Sequence, residues 1–127
     1  MDPVVAHYAK APQRCADLEP AHRYNNYVKA FLIQDFMKQG AQVLDLACGR
    51  GGDLKKFREN KAGSYYGVDI VPARIEEARE RHRESRCMFG AVFEVGDVTK
   101  VGIFKDIGRK IWPLMTLKTF KINCKMS

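Results

Sequence analysis

VLDLACGRGGDLKKF, residues 43–57, is an apolar run that breaks into a glycine-rich, cationic turn and then resumes a helical pattern. Gln42 to Leu46 reads as a short buried strand, the glycine cluster as a turn, and residues 53–60 as a helix. A strand that ends in a glycine turn feeding a helix brings backbone N–H groups close to a ligand and aims the helix start at it. Gly49, Gly51 and Gly52 permit that approach because no Cβ obstructs it.

The segments on either side fit the same plan. Tyr27, Val28, Phe31, Leu32 and Phe36 recur at helical spacing over residues 24–38, and Gly40 is a natural stop. SYYGVDI (residues 64–70) reads as a second strand, residues 72–84 as a charged helix opened by a proline, and residues 91–95 as a third strand. Strands alternating with helices imply a parallel sheet with helical crossovers, the front half of a doubly wound α/β domain. Residues 1–20, with three prolines, read as an arm with one short helix. Residues 21–100 carry the strand–helix alternation, and 101–127 form a divergent tail. In the tail, IFKDIGRKIW reads as a helix ending at Trp112, before Pro113, and TLKTFKI (residues 116–122) alternates as a strand does.

Composition narrows the classes. A chain of 127 residues builds one modest core. Its 22 Lys plus Arg against 15 Asp plus Glu give a formal charge of +7, which favours polyanions such as nucleic acid, or a merely basic surface. Cys15, Cys48, Cys87 and Cys124 lie far apart with no CxxC pair and no histidine at zinc-finger spacing, so they read as reduced thiols of an intracellular protein, with no metal. No apolar run approaches a membrane span, and no basic-then-apolar leader opens the chain.

The glycine turn limits the ligand. Asp69 ends the second strand twenty residues after Gly49, the offset at which an acidic residue takes a pair of ribose hydroxyls. A dinucleotide fingerprint starting at Gly49 would put bulky Leu54 where a glycine or alanine must let helix and strand close together. Asp45, on the strand feeding the turn, would repel a pyrophosphate and welcome a cationic amino-acid group. The pattern D-x-A-C-G-x-G-G fits S-adenosylmethionine better than a nicotinamide cofactor. A turn that binds nothing is the remaining alternative.

VLDLACGRGGDLKKF followed by YYGVDI and preceded by RYNNYVKAFLI resembles the eukaryotic mRNA cap guanine-N7 methyltransferases. VVAHY near the N-terminus, RIEEARERH and FEVGD share the likeness, which covers most of residues 4–100. The resemblance implies a Rossmann-like class I methyltransferase domain, here expected to be cut short after the third strand. It implies S-adenosylmethionine as methyl donor, the capped 5′ end of mRNA as substrate, capping or transcription machinery as partners, and a nuclear location.

Residue by residue, the resemblance assigns Lys29, Ala47, Gly49, Asp69 and Asp97 to the cofactor. Ala47 stands where many relatives carry a first glycine, a change expected to do little harm. Asn25, Asn26, Arg50, Lys56 and Arg81 are assigned to the cap guanine or its triphosphate. Read without the resemblance, these are solvated helix residues, with Asn25 near an N-cap, Asp97 an ordinary loop residue, and Glu77 and Arg81 spaced as a surface pair. Tyr65, Tyr66 and Phe57 read as core, His82 as surface, and Cys48 as no nucleophile. No catalytic residue is expected, because N7 carries a lone pair and no proton. The alternatives are a catalytically incomplete fragment that binds cofactor or RNA or regulates a full-length relative, and a methyltransferase with another substrate.

Overall fold

The computed structural model describes residues 1–10, 16–86, 89–100 and 102–115, with side chains as far as residue 110. In chain order the elements are α1 (Pro3–Ala9), a short 3-10 turn (Ala16–Leu18), α2 (Glu19–Phe36), β1 (Gln42–Leu46), α3 (Leu54–Glu59), β2 (Ser64–Asp69), α4 (Pro72–Glu84), β3 (Gly90–Val95) and α5 (Ile103–Met115). The strands form one parallel sheet in the order β1-β2-β3, with Leu44 opposite Tyr66 and Tyr66 opposite Val92.

Period-two alternation along β2 separates two cores. Tyr65 faces one side, where it joins Ile33 of α2, Leu54 and Phe57 of α3, Ile75 and Ala78 of α4, and Phe93 of β3. Tyr66 and Val68 face the other side, where they meet Ile107 of α5 with Leu44, Leu46 and Ile103 alongside. Ile75, Val68 and Val71 are the most deeply buried large side chains, each contributing about 1.5–3 kcal/mol. Tyr65 is buried with its hydroxyl donating to Asp45 Oδ2 at 2.7 Å, which satisfies a polar group in each of β1 and β2.

This arrangement fixes where the site lies. Right-handed crossovers keep α3 and α4 on one face while the chain steps from β1 to β3. Helix α5 packs on the opposite face, so the winding reverses after β3 and the switch point falls at β1. Ligands of open α/β sheets bind at the carboxyl ends of strands beside such a point, and the glycine turn stands there. Among the described residues the outer edge of β1 has no strand partner.

Several boundaries differ from the sequence reading. Helix α2 starts at Glu19, five residues early, because Pro20 occupies its first turn, where a missing N–H is harmless. Asn25 is therefore in the helix body and caps nothing. Helix α5 runs past Trp112 to Met115, so Pro113 falls in the last turn and does not end the helix ahead of itself. His82 is half-buried, with Nε2 2.9 Å from the Phe89 carbonyl and its ring against Phe89 and Phe93. Tyr65, Tyr66 and Phe57 are core residues. Cys15, Cys87, Cys124 and TLKTFKI lie outside the described residues. No described helix is long and apolar enough to cross a membrane.

Candidate functional site

The glycine turn is built by backbone bonds. Cys48 N donates to Val68 O at 2.9 Å, which carries the β1–β2 ladder beyond Leu46, and Gly51 N then donates to Cys48 O at 3.2 Å. Gly51 has a φ of +75°, and a Cβ there would lie 2.7 Å from Leu54 Cδ1 and 3.3 Å from the Ala78 methyl. Glycine at residue 51 thus lets the turn close on α3 and α4 together. Ala47 also adopts a left-handed φ, +63°. For an L-residue that conformation costs roughly 1–2 kcal/mol, more than the slight effect expected from the sequence.

Asp69 locks this turn to β2. Its Oδ2 accepts from Gly49 N and its Oδ1 from Val71 N, both at 2.9 Å, and the side chain is buried. A carboxylate offers about four lone-pair sites, so two remain for hydroxyl donors from a ligand. Asp97, after β3, is half-buried. Its Oδ1 accepts from the Thr99 hydroxyl and amide, and these bonds hold its carboxyl below the usual range. Ala47, Asp69 and Asp97 line one cavity of about 780 Å³ at the carboxyl ends of the strands, with Ile70 and Gly96 between them.

Asp45 does not line that cavity. It is buried and holds Tyr65, whose phenol is pushed up by burial and by the Asp45 charge beside it. Cys48 is buried too, and burial, then Asp45 and Asp69, raise its thiol to about 12. A thiol so high supplies almost no thiolate near neutrality.

The cationic residues form a second group around two carboxylates. Asp53 stands at the start of α3, where its side chain makes no capping bond. It instead receives Lys56 Nζ at 2.8 Å and Lys29 Nζ at 3.3 Å, tying α2 to α3. Lys56 Nζ also reaches Asn26 Oδ1 at 3.5 Å. Arg50 pairs with Glu77 of α4 at 3.4 Å. This replaces the Glu77–Arg81 pair expected from spacing, because the turn brings Arg50 over α4. Asn25 and Arg81 are exposed on α2 and α4. Lys29, Asn26 and Lys56 are thus drawn together, while Lys29 and the cap-assigned residues stand apart from the cavity lining.

Two groups escaped the sequence reading. Asp53 follows the glycines and precedes Lys56 by three residues, a helical pair spacing that went unread; its bond to Lys29 spans 24 residues and left no local sign. Arg74 lines the cavity with Tyr8, and no periodic pattern marked it. Among the described residues no cluster of three or more His, Cys, Asp or Glu could hold a metal ion.

Comparison with known proteins adds to this geometry. Residues 2–118 match the family described as the mRNA (guanine-N(7))-methyltransferase domain, a match that continues past the likeness over residues 4–100 into the stretch read as a divergent tail. The chain is 34% identical over 106 residues to the mRNA cap guanine-N(7) methyltransferase of Schizosaccharomyces pombe, covering 76% of this chain and 29% of that protein. It is 45% identical over 60 residues to mRNA cap guanine-N(7) methyltransferase 1 of Arabidopsis thaliana, covering 47% of this chain and 16% of that one. Among solved structures, the PH0226 protein of Pyrococcus horikoshii OT3 is similar with a TM-score of 0.55 and 28% identity, over 77% of this chain and 45% of that one. The magnesium protoporphyrin IX methyltransferase of Synechocystis PCC 6803, solved with bound SAH, has a TM-score of 0.56 and 24% identity over 76% and 46%, a likeness of fold. The chain spans under a third of the length of these curated relatives.

Proposed function

The chain belongs to the mRNA (guanine-N7)-methyltransferase family, and on that premise we propose that it serves methyl transfer from S-adenosylmethionine to N7 of the guanine at the capped 5′ end of mRNA. The observation that carries this reading is the gathering of Ala47, Asp69 and Asp97 around one cavity at the strand ends. The donor set fits an adenosyl ligand: a buried carboxylate with spare lone pairs, a second carboxylate for an amino group, and a small residue at the floor.

When bound, S-adenosylmethionine supplies an electrophilic methyl group on a sulfonium. N7 of guanine offers a lone pair and no proton, so the chain needs no general base. Its residues act by orientation, which can supply several kcal/mol of a barrier. Asp69 holds the ribose hydroxyls, Asp97 accepts from the purine amino group, Gly49 keeps the turn open, and Lys29 reaches the amino-acid end. Asn25, Asn26, Arg50, Lys56 and Arg81 hold the cap nucleotide and its phosphates, where charge-assisted bonds are strongest. Residues 1–20 serve as an arm and 21–100 as the body of the site, backed by α5 on the far face of the sheet. Capped transcripts and the machinery that handles them are the partners, RNA binding is part of the work, and the nucleus is where it is done.

Calorimetric titration of the monodisperse chain with S-adenosylhomocysteine tests the first step. Binding near the micromolar range, about −8 kcal/mol, is expected, followed by transfer of labelled methyl to a GpppA cap analogue. A folded chain that fails to bind would overturn the reading.

A further inference from the structure

The cavity has one wall that the family roles leave unused. Helix α1 is capped by Asp2, whose Oδ1 accepts from Val4 N at 2.8 Å, and it buries none of its own residues. Yet Val4 and Tyr8 line the cavity together with Asp69 and Asp97, and both are about half exposed, at 50% and 49%. A short helix that offers two apolar side chains to an open cavity is held by little until something fills it.

Arg74 is the point where α1 meets the body. Its guanidinium lies 5.7 Å from the centroid of the Tyr8 ring, a cation–π contact across the cavity rim. Its Nε is buried and has no hydrogen-bond partner. A buried donor without a partner is costly and calls for an explanation. The position is also electrostatically wrong for a helix: Arg74 sits in the first turn of α4, at the positive end of the dipole. Breaches of local rules of this kind concentrate at functional sites.

Resting on the reading of the cavity as the adenosyl site, we propose that Tyr8 and Arg74 form its outer wall: Arg74 Nε–H donates to an acceptor on the purine or ribose, and Val4 and the Tyr8 ring cover that group. Ligand binding then fastens α1 over the cavity, since the covered ring and the partnered guanidinium hold the helix from both sides. Arg74 and Tyr8 are positioning residues of the cofactor site.

The test uses the full chain and two probes, S-adenosylhomocysteine and adenosine. Tyr8→Ala and Arg74→Ala are expected to weaken both probes by the same factor, about tenfold, while Tyr8→Phe keeps the ring and binds as the parent does. Hydrogen exchange at the amides of α1 is expected to slow on adding S-adenosylhomocysteine to the parent chain and not to Tyr8→Ala. Tyr8 is a surface residue, so its variants remain informative if Arg74→Ala fails to fold. Folded Tyr8→Ala and Arg74→Ala chains with parental affinity for both probes, or α1 amides indifferent to ligand, would overturn the proposal and leave the cavity assignment standing. A loss for S-adenosylhomocysteine without a loss for adenosine would move the contact to the amino-acid end and also overturn it. No binding by the parent chain would remove the cavity assignment, and the wall with it.

Discussion

Replacing Asp69 by asparagine separates its two roles, one in the turn and one toward the ligand. In the free chain its two oxygens each accept one backbone N–H, from Gly49 and Val71 at 2.9 Å. Asparagine keeps one acceptor and turns an amide toward the other N–H. Hydrogen bonds to a charged group contribute about 1.5–3 kcal/mol, and a donor left unsatisfied costs about 1–3 kcal/mol. The fold should therefore lose about 2–4 kcal/mol, a large share of the 5–15 kcal/mol typical of a domain. On the ligand side one ribose bond is lost and another loses its charge assistance, again about 2–4 kcal/mol. That corresponds to about a thirtyfold to a nearly thousandfold rise in the Kd for S-adenosylhomocysteine. Thermal unfolding followed by circular dichroism fixes a temperature at which the variant is folded, and calorimetry there reads the affinity. A folded Asp69→Asn chain that binds within threefold of the parent would refute the ribose role. An unchanged unfolding curve would refute the claim that Asp69 holds the turn.

Ala47→Gly should stabilise the chain by about 0.5–1 kcal/mol in a denaturant titration, because relief of the φ +63° strain, roughly 1–2 kcal/mol, outweighs the added freedom of the unfolded state; a loss of stability would mean that the alanine methyl packs usefully. Gly51→Ala should cost about 3 kcal/mol or more, and thermal unfolding at a parental midpoint would contradict the 2.7 Å approach to Leu54. Cys48, raised from 9.0 to about 12, should alkylate at pH 8 with roughly a thousandth of the thiolate of an unperturbed cysteine, read by mass spectrometry on its tryptic peptide with iodoacetamide. A folded-state pKa above the unfolded one contributes stability that is complete below about pH 9 and is lost as pH rises toward 12, so Cys48→Ala should flatten part of the alkaline fall in stability, and an identical fall would contradict the shift.

The fold was legible wherever the pattern is local. Gln42–Leu46 and Pro72–Glu84 have the bounds read from apolar runs and a proline, since both are fixed by neighbours in sequence. Helix α2 was read late because its first turn, with Glu19 and Pro20, carries capping chemistry rather than apolar spacing. The gathering of Ala47, Asp69 and Asp97 at one cavity was legible for the same reason: they follow strand ends, and parallel pairing brings strand ends together whatever the side chains between them. The bonds of Lys29 to Asp53 and of Arg50 to Glu77 were not, because they join different elements and depend on how far each long side chain reaches.

That difference bears on how the two halves of the site act. The cavity side is held by backbone: Gly49 and Val71 amides fix Asp69, the β1–β2 ladder fixes the turn, and the three strands that supply it pair with one another. The cationic side is held by ion pairs, with Lys56 and Lys29 on Asp53 and Arg50 on Glu77, and the Arg50–Glu77 pair is solvent-exposed enough to be weak and screened by salt. A phosphate that approaches must draw those cations from carboxylates they already hold, so net attraction there rests on the surplus charge of the chain more than on any single contact. Affinity for adenosine, which reaches none of these cations, should accordingly be nearly insensitive to ionic strength, while affinity for a cap analogue falls with it, since only the second depends on charges that exchange partners.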